Sequence, residues 1–436
     1  MLETGYAPEA FGEGLIIPIP KGANQTSCAN IEDFRGITIS PVISKVFEHC
    51  LLKLFQSFLE TDAGQFGFKK DKGCRDAVYA VNEIVNYFSM NASTVNLCTV
   101  DLSKAFDKLD HNVLFLKLIK KKTPICLIKI LHNWYCKCTC VVRYGSCLSR
   151  MFPMKQGIRQ GGVLSPILFA YYVDDVLIKL NCKYGCNIFG ISCGAIMYAD
   201  DIILLSLSFD HLQKLIVICN DEFKEIGLTI NVKKCAVMRV GERFKRNCDD
   251  ILLNENTIPL VDELKYLGVT LFHGNYLRVN IHGNKVKFFR SLNSIYAKLG
   301  NSANAETLVH LMKSNCLSAL VYSLESVKLT KTNIDKLQFC LNRSFVKIFH
   351  VSDTESIEYC QYVMKQLPIE MLVDFRRFKF YRKLAASKCL FLRFIYQTLS
   401  MQAVEQLNCK YGVSCDASIN LTFKHIWRKF ECKVQM

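Results

Sequence analysis

Ala195-Ile196-Met197-Tyr198-Ala199-Asp200-Asp201-Ile202-Ile203-Leu204-Leu205-Ser206-Leu207 is the stretch on which the fold turns. It is nearly all apolar, apart from one acidic pair at its middle. An apolar run broken in this way reads as a buried strand, a tight turn and a second strand. Upstream, Val95-Asn96-Leu97-Cys98-Thr99-Val100 reads as another strand, ending on Asp101. Carboxylates are costly beside a β core unless positive charge accompanies them. Two divalent cations would supply that charge. A strand-end Asp beside a turn carrying two more gives the open set of oxygen ligands that Mg²⁺ prefers. The alternative is that an Asp-Asp pair in a turn makes only local turn hydrogen bonds.

The chain contains its own control. Tyr172-Val173-Asp174-Asp175 has the same aromatic-X-Asp-Asp form. It falls inside a helix expected to start at Ser165-Pro166, with a capping hydroxyl and a proline in the first turn. Adjacent side chains on a helix diverge by roughly 100°. Asp174 and Asp175 are therefore expected to be surface or helix-packing residues, with no metal.

Outward from these boxes, periodicity places helices over residues 41–60, 74–89, 111–122 (capped by Asp110) and 210–226. A hairpin is expected over 138–155, turning near Gly145. Two or three short strands should lie between 226 and 271, and the pattern is helical and more basic from 285 onward. Residues 1–30, with Gly5, Pro8, Gly12, Gly14, Pro18, Pro20 and Gly22, read as irregular chain around one strand. The change near 275–285 is the best candidate boundary.

The 436 residues are half apolar and 22% charged, so disorder is not the default, and the length suits a large core with two or three subdomains. Lys and Arg number 55 against 39 Asp and Glu, a surplus of +16 that fits a polyanionic partner. The 22 cysteines show no zinc-ribbon spacing. Cys136, Cys138 and Cys140 alternate as strand positions would, so they cannot all face one ion. Glu3, Glu9 and Glu13 rule out a signal peptide, and no apolar run reaches the ~18 residues of a membrane helix. Free, mostly buried thiols in an intracellular protein are expected.

Several further stretches share the order of one family's motifs. They are Phe34-Arg35-Gly36-Ile37 with Ser44-Lys45, Gln65-Phe66-Gly67-Phe68-Lys69, and Val100-Asp101-Leu102-Ser103-Lys104-Ala105-Phe106-Asp107. Next come Gly157-Ile158-Arg159-Gln160-Gly161-Gly162-Val163-Leu164-Ser165-Pro166 and Tyr198-Ala199-Asp200-Asp201. Gly227-Leu228-Thr229-Ile230-Asn231-Val232-Lys233-Lys234 and Lys265-Tyr266-Leu267-Gly268 complete the set. In this order, over about residues 15–271, the chain resembles the reverse transcriptases of non-long-terminal-repeat (LINE-type) retrotransposons. Residues 366–384, with Leu367-Pro368 and a basic aromatic helix, resemble the tail such elements carry.

The resemblance implies an α/β (α+β) right-hand polymerase: fingers, a palm with a small antiparallel sheet, a helical thumb and a helical C-terminal tail. Residues 1–94 would form the N-terminal segment and fingers. The palm would span 95–275, with finger elements near 110–155. The thumb would span 276–350, its basic face following a heteroduplex, and 351–436 would be a basic helical region. The implied activity is RNA-directed DNA polymerisation from a primer 3′-end, with dNTPs, an RNA template, a DNA primer and Mg²⁺ or Mn²⁺. Asp101, Asp200 and Asp201 match the metal-binding triad, and the Leu102 carbonyl would face the triphosphate-side metal. Phe106 matches the steric gate against a ribose 2′-hydroxyl; on residues alone it also reads as a core Phe. Gln160 and Gly161 match a loop that approaches nucleotide and template, where glycine permits close backbone contact; alone they also read as a simple turn. Arg35 and Lys69 match basic residues that grip the triphosphate, or they are solvated surface charges. Lys234 matches a general acid for pyrophosphate release, with Lys233 one residue away. In the helix Arg376-Arg377-Phe378-Lys379-Phe380-Tyr381-Arg382-Lys383, basic and aromatic groups would meet phosphates and unpaired RNA bases, or form a solvated face opposite a core stripe.

There are departures from the pattern. Gly36 stands where Pro is frequent, and Gly73-Cys74 stands where Ser-Thr is common. The endonuclease usual upstream is absent, and Cys409 and Cys415 lack partners for a Cys/His knuckle, as expected of a fragment. Two other readings stay open: a catalytically silent RNA-binding relic and a group II intron maturase. Phe106 disfavours an RNA-dependent RNA polymerase. No membrane association is expected. Action on a chromosomal target implies the nucleus, although no basic import cluster stands out.

Overall fold

The computed structural model describes residues 1–21, 30–246, 248–299 and 303–435; Gly22 lies outside them. The chain divides into two compact units. One holds Met1–Gly73, Asn96–Val237 and Cys248–Pro259; the other holds Cys74–Val95, Met238–Asn247 and Leu260–Met436. These units run differently from the expected segments: the helix Cys74–Met90 belongs with the C-terminal third.

In the first unit, the strands Val95–Val100 (from Asn96 on), Asp201–Ser206 and Ala195–Tyr198 lie side by side in one sheet. The first two are antiparallel, with Ile202 opposite Val100 and Leu204 opposite Cys98. Residues 202–206 are buried without alternation because both faces of the strand are covered. The helices Ser165–Leu180 and Phe209–Glu225 share one core with this sheet, through Phe169, Tyr172, Val176, Leu215, Cys219 and Phe223. A second sheet pairs Glu13–Pro20 with Phe34–Ile39 and, in parallel, with Thr139–Tyr144. Thr139–Tyr144 turns back at Gly145, φ +60°, onto Cys147–Leu148.

Three local expectations are corrected here. Ser165 is the first helical residue and makes no capping bond; Leu164 occupies the cap position. The helix start is capped instead by the Glu48 carboxylate, which accepts from the backbone N–H groups of Val163 and Leu164. Cys136 ends the helix Ile125–Cys136, and only Cys140 of the three cysteines lies in a strand. All described cysteines are free thiols, ten buried, six half-buried and five exposed, so burial of the thiols is only partial.

In the helix Ser165–Leu180, Asp174 and Asp175 pair with lysines of the helix His111–Lys120 and its end. Lys121 Nζ lies 2.7 Å from Asp174, and Lys117 Nζ lies 2.9 Å from Asp175. Asp174 also accepts the Asp62 N–H at 2.7 Å. Their role is helix packing, as the helical setting implied. The helix His111–Lys120 is capped by Asp110, which accepts from Asn112 and Val113 N–H.

In the second unit, Glu263–Tyr266, Val269–Phe272 and Arg278–Asn280 form a three-stranded antiparallel sheet. With Ala236–Val240, Ile251–Leu253 and Asn256–Ile258, the strands after 226 outnumber the two or three expected. Helices follow from His282. In His282–Leu299, Phe288 and Leu292 face the core while Lys287, Arg290 and Lys298 are exposed. The helix Cys74–Met90 is locked into this unit: Lys383 Nζ lies 2.9 Å from the fully buried Asp76, and Tyr79 Oη lies 2.6 Å from Ser400 Oγ.

The basic aromatic helix Ile369–Ala385 spends part of its charge inside the unit, while Lys379 and Arg382 stay exposed. Arg376 binds the buried Glu325 at 2.9 Å, Arg377 donates to the Val327 carbonyl, and Lys383 takes Asp76. Phe378, Phe380 and Tyr381 are buried. Arg376 and Lys383 therefore complete ion pairs with buried carboxylates inside the unit, as buried charge requires. No helix among the described residues is long and apolar enough to cross a membrane.

Candidate active site

The acidic turn joins Tyr198 directly to its partner Asp201, leaving Ala199 and Asp200 as a two-residue loop. Ala199 takes φ +58°, a left-handed conformation uncommon for a residue with a Cβ. Asp101 lies just past the end of the neighbouring strand Val95–Val100. The three carboxylates lie within electrostatic range of one another. The Asp200 carboxyl is raised above its ordinary value by burial first and by Asp101 next. The Asp201 carboxyl, on a more exposed residue, is pushed up to about 6 by loss of hydration and then by Asp200 and Asp101.

Lys234 Nζ lies 3.1 Å from Asp101 Oδ2. It does so as an ion pair without hydrogen-bond geometry, and that buried oxygen has no hydrogen-bond partner. Of the two neighbouring lysines, Lys234 is the one that reaches the acidic cluster. Backbone bonds bring it there: Asn231 N–H donates to the Asp101 carbonyl at 2.8 Å, and Ser103 N–H to the Thr229 carbonyl at 2.9 Å. Leu102 bridges Ile230 between them. Among the described residues, no three acidic, His or Cys side chains close into a metal cage. The donor set does fit a hard divalent cation. It offers carboxylate oxygens only, one of them unsatisfied, and the raised proton affinity of Asp200 and Asp201, due first to burial and then to neighbouring carboxylates, is what a bound cation would offset.

The other expected residues fall unevenly. Arg35, exposed on Phe34–Ile39, lies within electrostatic reach of Asp200 and opposes the rise of its carboxyl. Lys69 is committed elsewhere: its ammonium donates to the backbone carbonyls of Thr61 and Asp62. Phe106 stacks on Phe169, centroids 4.4 Å apart at 18°, and meets Phe68 edge-on at 6.2 Å. Gln160 donates to Asp107 at 3.1 Å, and its carbonyl accepts the Thr38 N–H at 2.7 Å.

Gly161 makes its close approach to the protein's own strand. At φ +136°, an added Cβ would lie 2.4 Å from the Thr38 carbonyl oxygen. Gly161→Ala is expected to pull this loop off Phe34–Ile39 and to cost about 1–3 kcal/mol of stability. Thermal melting would check it; an unchanged midpoint would mean that the two segments part without loss.

Two residues here carried no role in the sequence reading. Glu48 and Arg159, both buried, form an ion pair at 3.7 Å, and Arg159 also donates to the Phe11 carbonyl and lies over the Trp134 ring. With Glu48 capping Val163 and Leu164, the pair anchors this loop at Arg159 and at residues 163–164. A signal existed: Ser44, Glu48 and Leu51 recur at helical spacing on the buried face of Val42–Phe55.

This is a mixed helix-and-sheet protein whose small antiparallel sheet gathers acidic residues at one end. The family profile described as Reverse transcriptase (RNA-dependent DNA polymerase) matches residues 19–271, more than half of the chain. The chain belongs to that family. Its relatives include the Retrovirus-related Pol polyprotein from type-2 retrotransposable element R2DM of Drosophila melanogaster, 26% identical over 288 residues, covering 64% of this chain and 27% of that protein. The RNA-directed DNA polymerase from mobile element jockey of Drosophila funebris is 24% identical over 364 residues, covering 80% and 39%. The chain therefore spans well under half the length of these two relatives. Among solved structures, apo telomerase from Candida Tropicalis aligns over 89% of this chain and 68% of its own, with a TM-score of 0.46 and 14% identity.

Proposed function

We propose that this chain is the polymerase core of a LINE-type retroelement, extending a DNA primer 3′-end with dNTPs on an RNA template. The observation that carries this reading is the convergence of Asp101, Asp200 and Asp201 at a strand end and an adjoining turn, with Lys234 beside them. Mg²⁺ or Mn²⁺ held by these carboxylates would favour ionisation of the primer hydroxyl and offset charge on the leaving pyrophosphate. The chain's own groups do the rest. Arg35 steadies the triphosphate, with Lys69 in second place because its ammonium already serves two carbonyls. Lys234 gives a proton to the departing pyrophosphate. The Leu102 carbonyl, Gln160 and Gly161 border the nucleotide. Residues 276–350 act as the thumb, and work on a chromosomal target places the protein in the nucleus.

Phe106 would exclude a ribose 2′-hydroxyl, and its stack on Phe169 would keep the ring in place. Phe106→Ala is expected to raise ribonucleotide incorporation relative to deoxynucleotides. It should also cost about 2 kcal/mol, because the ring is half-buried. Single-nucleotide extension with dTTP against UTP would check the first effect, and denaturation the second. Lost stability with unchanged sugar preference would make Phe106 a packing residue only.

The test of the function is extension of oligo(dT) on poly(rA) with dTTP and Mg²⁺. Product from the natural chain establishes the polymerase. One observation favours a second reading: the commitment of Lys69 suits a silent copy that only binds RNA. Absence of product with heteroduplex binding intact would decide for that copy.

A further inference from the structure

The turn that carries Asp200 and Asp201 is held from outside its own hairpin. Residues 64–67 run along the free edge of Ala195–Tyr198. Phe66 N–H donates to the Met197 carbonyl at 2.8 Å, Met197 N–H donates to the Gly64 carbonyl at 3.0 Å, and Gln65 bridges Met197 in parallel. Those backbone bonds hold the strand and stop short of the turn. The side chain of Gln65 reaches it. Oε1 accepts the Ala199 N–H at 3.1 Å and the Gly67 N–H at 2.9 Å. The residue is fully buried, and its Nε2 has no hydrogen-bond partner. The orientation of the amide follows from its surroundings, since a reversed amide would set its NH₂ against two N–H donors.

Two further features concentrate on the same spot. Ala199 holds φ +58°, a conformation that costs energy without glycine and persists only where its surroundings fix it. Gly67 lies so close that an added Cβ would sit 2.4 Å from the Ala199 nitrogen. The bare backbone of residue 67 and the carbonyl of Gln65 thus enclose the one N–H that precedes Asp200.

We infer that Gln65 is a positioning residue for the acidic turn: its carbonyl fixes Ala199 in the left-handed conformation that sets the directions of Asp200 and Asp201. The inference rests on the polymerase reading for its catalytic meaning and on geometry alone for the clamp. It touches no substrate. Its loss lets the turn relax while the sheet, held by backbone bonds, stays intact.

The experiment compares the natural chain with Gln65→Met, which keeps length and removes the acceptor, and Gln65→Glu, which keeps an acceptor oxygen. Amide exchange at Ala199 is read directly, with Ile203 and Leu204 as references within the sheet. In Gln65→Met, exchange at Ala199 should quicken about tenfold or more, the loss of one buried hydrogen bond, while the references hold. Gln65→Glu should restore slow exchange. In primer extension, Gln65→Met should lower kcat by about 10–100-fold, the scale of a misplaced reacting group. The KM for dTTP and the Kd for primer–template should stay within about twofold, as expected for a loss felt in the transition state alone.

Unchanged exchange at Ala199 overturns the clamp. Faster exchange with unchanged kcat overturns its catalytic meaning. Faster exchange at Ile203 and Leu204 as well would show general loosening and likewise overturn the inference. If the natural chain extends no primer, the polymerase reading fails, and the exchange at Ala199 still decides the clamp.

Discussion

Replacing Asp200 and Asp201 together by Asn is expected to abolish primer extension, with a loss of roughly a thousandfold or more, equivalent to about 4 kcal/mol of transition-state stabilisation. Asn keeps the shape of Asp and removes the charge that would hold a divalent cation. The same change should leave the metal-free fold as stable as before or more stable. Burial and mutual repulsion disfavour the ionised carboxyls of Asp200 and Asp201 in the folded chain. The sign is set by proton uptake. A carboxyl raised from its ordinary value to about 6 binds a proton in the fold that the unfolded chain has already lost. Its contribution is therefore most favourable at low pH and is lost as pH rises through about 6. Melting in chelator should show the natural chain weakening relative to the double Asn variant across that window. Asp201 is exposed, so solvent screens part of the effect. Full extension by the variant would move the chemistry away from this turn. A variant that melts far below the natural chain would make the pair structural.

Glu48→Leu is expected to be the most destabilising single change in the first unit, by roughly 3–5 kcal/mol. It strands the buried Arg159 guanidinium and removes the acceptor of two N–H groups at the start of Ser165–Leu180. Glu48→Gln should cost less, since an acceptor remains. Joining Glu48→Leu to Arg159→Met should recover part of the loss, because breaking a buried pair is worse than replacing it. Urea denaturation reads this locally. The chain has two tryptophans, and in a Trp427→Phe background Trp134, beneath Arg159, reports the first unit. A double variant no better than Glu48→Leu would show that the cap, and not the pair, carries the energy.

The elements nearest the acidic turn were legible because their physics is local. An unbroken apolar strand, a two-residue turn and a helix begun by Pro166 announce themselves over a few residues each. The Tyr172–Asp175 box was separated from the Tyr198–Asp201 box by its helical setting, and the structure fills it with Lys117 and Lys121. What stayed hidden depends on partners distant in sequence. The cap of Ser165–Leu180 comes from Glu48, 116 residues before Leu164. Basic charge on Arg376 and Lys383 resembled a nucleic-acid face until Glu325 and Asp76 were seen to take it up. Lys69 matched a motif by position, yet the carbonyls of Thr61 and Asp62 claim its ammonium. Composition records that a charge exists; only packing tells whether it is spent.

The helix Cys74–Met90 finds Lys383 and Ser400 across separations of 307 and 321 residues. At a translation rate of about 5–20 residues per second, it leaves the ribosome roughly 15–60 s before those partners exist. Through that interval the carboxylate of Asp76 and the apolar side chains of Ala77, Ile84 and Val85 wait in water or on a chaperone, with loop closure still to come. A messenger cut short before codon 400 would leave that wait unended. An earlier part of the nascent chain thus depends for its burial on a much later one.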